Sequence, residues 1–268
     1  MSLYQMLTYF FIYGFLGWVS EVAFAGVKQR KFVNRGFLKG PICPIYGVSV
    51  TLVVMLLERF RSNILLLFIL SFVLVTLLEG VTGFVLEKVF HNKWWDYSKR
   101  KFNIGGYVCL LFSVIWGFCC VIVVEFIQRF FEIGVAHLPI ILGIIILSLL
   151  SIVLCIDVIV TSTKITKMNK TLMYMENIAN ELHAISNSIG EGVYKVVDLL
   201  DGDDDSDETK AKKAELHNKY KAAMENHSHD AKRIIKAFPN MNSKHYNTAL
   251  SDTKKHINQT KHLEDNYG

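Results

Sequence analysis

The chain is 268 residues long, 51% apolar and 20% charged, with a formal net charge of +5. Residues 1–160 hold only eight of the 24 acids but 13 of the 29 basic residues, so the positive excess lies wholly in the apolar part and the rest is neutral. That balance belongs to a membrane protein and excludes a nucleic-acid binder; no zinc-finger, RRM-like or basic-helix pattern occurs.

A membrane-spanning helix needs about 20 mostly apolar residues. The first such segment is 6–27. Ala23-Phe24-Ala25 imitates a signal-peptide cleavage site, but the basic residues follow the segment instead of preceding it. It therefore reads as an uncleaved anchor. Gly14, Gly17 and Glu21 share one helical face, with Trp18 beside them.

A loop over 28–40 carries Lys28, Arg30, Lys31, Arg35 and Lys39. The second apolar segment, 42–57, is short and opens with Pro41 and Pro44, which a first helical turn accepts. Cys43, Gly47 and Thr51 recur every four residues along it, a small-residue stripe that lets another helix approach.

The third segment, 64–86, sets Glu79 and Gly83 on one face, in line with Glu87 just beyond it. The loop over 88–106 has five basic residues and the string Trp94-Trp95-Asp96-Tyr97. Its aromatics suit an anchor in the headgroup layer, with the basic residues on anionic lipid heads. The alternative is a structured re-entrant loop lining a pore. The fourth segment, 108–127, repeats the small stripe as Cys109, Ser113 and Gly117, and the fifth is 138–160, with Asp157 near its end.

Basic residues crowd the 28–40 loop, the 88–106 loop and the start of the tail, whereas the alternate loops have only Arg59, Arg61 and Arg129. The positive-inside rule then puts the N-terminus outside and the C-terminus in the cytoplasm. The two inner loops and their flanking helices also resemble each other. Each unit is a helix with one acid near its cytoplasmic end, a basic loop containing Asn34 or Asn103, and a returning helix with a small stripe. That pattern predicts a tandem repeat of helical hairpins in parallel orientation.

An acid within the apolar zone costs about 2.5–3.5 kcal/mol at mid-membrane and faces a cavity or a partner. Glu21 and Glu79 therefore read either as a cation or proton site or as ion-paired with a loop cation such as Arg35. No nucleotide-binding, zinc-protease, serine-hydrolase or dinucleotide motif is present, so no enzyme, metal or cofactor is expected. All five cysteines sit in apolar segments without metal-ligand spacing, as buried small residues.

The tail, 161–268, is read as a separate cytoplasmic helical domain. Leu172, Met175, Ile178, Leu182, Ile185, Ile189, Val193, Val196 and Leu200 follow a three-and-four spacing close to a heptad. An acidic linker at 201–208 follows; it lacks the turn glycine and the final acid of a calcium loop. A second amphipathic run, from Leu216 to Phe238, ends at Pro239, and the last thirty residues are polar and expected to fray. His227-Ser228-His229 holds the one close histidine pair, a poor metal site. The tail is predicted to be a helical hairpin or coiled coil that self-associates or docks a partner.

Several strings occur in order: Gly17-Trp18-x-x-Glu21, Asn34-Arg35-Gly36-Phe37-Leu38-x-Gly40-Pro41-x-Cys43-Pro44-Ile45-Tyr46-Gly47, Leu78-Glu79-Gly80, and Trp94-Trp95-Asp96-Tyr97-Ser98 to Phe102-Asn103. Over about residues 5–160 the chain resembles the bacterial membrane family described as putative ABC-transporter type IV (CmpB-like). The resemblance implies a permease subunit served by a separate ATPase. The expected molecule is thus all-α, a five-helix membrane bundle plus a helical tail. Its expected role is a permease-type subunit for an unidentified solute, a cation among the candidates, driven by a partner ATPase or an ion gradient. The candidate binding residues are Trp18, Glu21, Asn34, Arg35, Glu79 and Asn103. The alternative is a membrane-anchored scaffold or sensor whose tail recruits a partner. The partners expected are the lipid bilayer, an ATPase subunit and a second copy through the tail.

Overall fold

In the computed structural model, residues 1–30, 32–197, 207–225 and 229–267 are described. Among the described residues the chain is all-α apart from one short ribbon. The elements in order are α1 (Leu3–Gln29), α2 (Pro44–Leu57), α3 (Ile64–Phe90), β1 (Asn103–Ile104), β2 (Val108–Cys109), α4 (Leu110–Ile122), α5 (Gln128–His137), α6 (Ile140–Val197), α7 (Asp207–Glu225), α8 (His229–Ala237) and α9 (Asn247–Tyr267). They fall into two compact units: residues 1–163 with 236–241, and residues 164–235 with 242–268.

Four helical stretches are long and apolar enough to cross a membrane: Leu3–Val27, Ile64–Phe90, Leu110–His137 and Ile140–Ile185. They carry large apolar side chains that no protein covers, such as Leu65, Ile141 and Ile159. Such a surface is stable only against hydrocarbon. The first helix starts with a capping box, in which Ser2 and Gln5 satisfy each other's backbone N–H groups.

The expectation of five spans is corrected at the second. There α2 has only 14 residues, about 21 Å of helix against a hydrocarbon core of about 30 Å. The rest of the return is made by non-helical chain. The Cys43 N–H donates to the Gly14 carbonyl at 2.9 Å, so α2 begins opposite the middle of α1 instead of at its end. Irregular backbone at that depth survives only where protein buries it and pairs its polar groups. Here Gly36 and Leu38 are buried. Asn34 donates to the Lys39 carbonyl at 2.8 Å and accepts from the Gly36 N–H at 3.0 Å. The N–H groups of Lys39 and Gly40 donate to Asp157 of α6 at 3.2 and 2.7 Å.

The segment between α3 and α4 is built the same way, around the antiparallel β1–β2 ribbon. Its turn needs Gly105 and Gly106, at φ +60° and +77°. A Cβ on Gly106 would lie 2.6 Å from both Asp96 Oδ1 and Ser98 Oγ.

Close helix approach follows the small residues. A Cβ on Gly47 would meet the Phe10 backbone oxygen of α1 at 2.7 Å, and one on Gly117 would meet Phe68 of α3 at 3.0 Å. Cys43, Gly47, Thr51, Cys109, Ser113 and Gly117 are all buried, and the five cysteines are free thiols. The apolar core of this unit gathers Tyr9, Tyr13, Val53, Val54, Leu67, Val75 and Val124.

A π-helical turn, Val123–Ile127, joins α4 to α5. Its wider winding leaves the Val124 carbonyl to accept from the Arg61 guanidinium. One residue past the turn, buried Gln128 accepts from the Tyr13 hydroxyl at 2.5 Å and donates to Glu132 at 3.0 Å.

In the second unit Ile165, Met168, Leu172, Met175 and Ile178 of α6 are buried, as are Ile234 and Ile235 of α8. The last thirty residues are not frayed where they are described. Ala249, Leu250, Thr253 and Ile257 form a buried face of α9 at three-and-four spacing, with buried Tyr246 just before it. Glu176 accepts the Ala249 N–H at 2.7 Å, capping that helix. Residues 201–206, most of the acidic linker, and residues 227 and 228 of the histidine pair lie outside the described residues.

Candidate functional site

The two acids of the apolar zone are held in different ways. Glu21, on the last third of α1, lies 3.4 Å from the Arg35 guanidinium and accepts from the Tyr46 hydroxyl at 2.8 Å. Arg35 is brought there by the buried return segment. Trp18 donates its indole N–H to Asn34 at 2.9 Å, and Asn34 in turn caps Gly36. Four of the sequence-predicted residues, Trp18, Glu21, Asn34 and Arg35, thus form one assembly. Tyr46 joins it from the first turn of α2, because a Cβ on Gly17 would strike the Tyr46 side chain at 2.3 Å. Only glycine at 17 leaves room for that ring.

Glu79 on α3 has no ion pair among the described residues. Its one hydrogen bond is long, from the Tyr97 hydroxyl to Oε1 at 3.4 Å. Its Oε2 is buried with no partner at all. A carboxylate stripped of water and so poorly bonded costs several kcal/mol (of order), which a proton or a small cation removes.

Tyr97 is the partner of Glu79. Its ring stacks on Phe112 at 4.9 Å, while Tyr46 meets Trp116 edge-on at 5.6 Å. Burial holds the Tyr97 proton on, raising its pKa, and the charges of Glu79 and Glu21 both add to that effect.

The remaining predicted residues serve the second return segment. Asn103 donates to the carbonyls of Ser98 and Arg100 at 3.2 and 2.7 Å and accepts from Gly106 at 3.2 Å. Asp96 accepts from the Ser98 N–H at 2.9 Å, and Trp95 donates to the Tyr107 carbonyl at 2.8 Å. Trp94 is buried against Phe37, Phe90 and Phe238, with ring centroids 5.1, 6.2 and 4.8 Å away. Beside them Lys93 lies 3.9 Å from Glu87, and Tyr107 donates to Glu87 at 2.7 Å.

Sequence reasoning named Tyr46 only within the family string and gave it no role, and it missed the clamp made by Asp157. It also missed the Tyr13–Gln128 pair. Those partners are 115 residues apart, and nothing local joins them.

The chain belongs to the family described as Putative ABC-transporter type IV, whose model matches residues 8–162. The match spans both return segments and both acids with their partners, and ends before the second unit. The molecule is a multi-pass membrane protein of an ABC-transporter type with four candidate spans. No solved structure matches it.

Proposed function

We propose that residues 1–163 form the membrane part of a transporter, a permease-type subunit in which Glu79 exchanges a proton or a small cation while Glu21 stays neutralised by Arg35. The observation that carries this reading is the buried, unpartnered Oε2 of Glu79, in contrast to Glu21, which already has its cation. Family membership supports a transporter, and coupling energy would come from a separate ATPase subunit or an ion gradient. The solute in this reading is cationic, since Glu79 offers a buried carboxylate with no ion pair among the described residues.

The excess of basic residues in the 28–40 and 88–106 loops supports an outside N-terminus and a cytoplasmic C-terminus. The exchanging acid then lies toward the cytoplasmic end of the bundle. Two features support the tandem repeat. Both return segments end on a buried cysteine with extended backbone, Cys43 and Cys109, and each of these stands at the N-cap position of the next helix.

The test is the full chain in liposomes, comparing Glu79→Gln with Glu21→Gln. The infrared carbonyl band of a protonated carboxyl, followed across pH with and without a monovalent cation, reports occupancy directly. The reading expects a band that Glu79→Gln removes and Glu21→Gln leaves, together with loss of tracer flux in Glu79→Gln at normal folding. A band unaffected by Glu79→Gln would end it. Orientation is checked separately, with a cytoplasm-only reporter after Gly268 and a thiol label at residue 60.

The second reading is a membrane-anchored scaffold whose tail recruits a partner or a second copy. The separate buried core of unit 2 favours it. Deleting residues 242–268, which leaves Phe238 against Trp94 and removes the buried α9 face of unit 2, discriminates, because a permease keeps its flux and a scaffold loses its function.

A further inference from the structure

A groove of about 570 Å³ opens beside the start of α4. It is lined by three consecutive cations, Lys99, Arg100 and Lys101, and by apolar Phe102, Leu110, Leu111 and Val114. None of the three cations has an ion pair among the described residues, and all three are exposed. Phe102 is 77% exposed and Leu111 53%. A basic rim directly above a bare apolar wall is the chemistry of an anionic amphiphile, not of a free ion or a folded acidic surface.

The rim is built instead of being a loose charge run. The Arg100 N–H donates to the Tyr97 carbonyl at 2.7 Å. Asn103 grips the carbonyls on either side of Lys99, those of Ser98 and Arg100. Phe102 holds a left-handed φ of +52°, and its carbonyl accepts from the Leu110 N–H at 3.2 Å. These bonds fix the turn against the first residue of α4. The apolar wall is continuous with α4, part of a stretch long and apolar enough to span the membrane.

We propose that this groove binds an anionic phospholipid, with its phosphate on Lys99, Arg100 and Lys101 and one acyl chain along Leu110, Leu111 and Val114. Each cation near a lipid headgroup strengthens binding by about fivefold. The proposal stands on charge complementarity and on continuity with the spanning helix, and does not depend on what the chain transports.

The experiment uses the full chain in a non-ionic detergent, titrated with phosphatidylglycerol or with phosphatidylcholine of the same acyl chains. Bound lipid is counted by native mass spectrometry. The expected result is preferential retention of phosphatidylglycerol. The triple variant K99Q/R100Q/K101Q weakens that retention by about a hundredfold, whereas K99R/R100K/K101R keeps it. The control R59Q/R129Q removes two cations elsewhere and leaves retention unchanged. Equal retention of the two lipids overturns the proposal. So does an equal loss in the control, which would make net charge the cause. Glycerol phosphate that competes at the same concentration as the lipid also overturns it, since the apolar wall would then contribute nothing.

Discussion

Gly40 donates its backbone N–H to Asp157 Oδ2 at 2.7 Å, tying the first return segment to α6 across 117 residues of chain. Lys39 adds a second N–H to Oδ1, and Thr161 adds its hydroxyl at 3.0 Å. One carboxylate therefore serves three donors.

Asp157→Ala orphans the two backbone N–H groups, and a hydrogen bond to a charged acceptor is worth about 1.5–3 kcal/mol. The expected outcome is a loss of that order in the thermal unfolding of the full chain. Asp157→Asn, which keeps one acceptor oxygen, loses less. Equal stability of the alanine variant would show that the clamp contributes nothing.

Gly106→Ala meets two obstacles at once, a φ of +77° and a Cβ 2.6 Å from Asp96 and Ser98. The cost is about 1–3 kcal/mol. Local hydrogen exchange over 95–109 should rise, while α1 and α2 stay protected.

Tyr13 and Gln128 are a buried pair at a π-helical turn. Gln128→Leu leaves the Tyr13 hydroxyl unsatisfied and costs about 1–3 kcal/mol. Adding Tyr13→Phe removes the orphan. The double variant should therefore be no less stable than Gln128→Leu alone, and a double-mutant cycle in melting temperature reads the coupling. Additive losses would deny the interaction.

Tyr107 titrates late. Its hydrogen bond to Glu87, then burial, then the Glu87 charge push its pKa from 10.0 to about 12. Between those values the folded chain keeps a proton that the unfolded chain has lost, so stability falls as pH rises through that window and is fully present below it. Subtracting the pH–stability curve of Tyr107→Phe from that of the parent isolates the effect. A flat difference above pH 10.0 would contradict the Glu87 bond.

Glu21→Gln separates structure from exchange. It leaves Arg35 without its ion pair, so the expected result is lower stability, by about 1–3 kcal/mol. Glu79→Gln is expected to fold at least as well as the parent, because an amide in that site carries no charge to desolvate. The reverse order of stabilities would mean that Glu79 has an ionic partner.

The sequence by itself determined that this is a helical membrane protein, and where its long apolar segments run. Hydropathy and residue spacing are local properties, and lipid penalises every exception to them. It also named the acids and small residues, because a carboxylate or a glycine stands out in an apolar run. The small-residue stripes are buried where the helices close in. Only the tertiary structure decided the partners. Arg35 reaches Glu21 and Asp157 reaches Gly40 because a non-helical segment is threaded to the middle of α1, which no periodicity encodes. For the same reason the short apolar run at 42–57 is a helix of 14 residues and not a full span. Glu21 and Glu79 look alike in sequence. They differ in the fold because the first return segment carries a cation to its acid, while the second carries only a tyrosine.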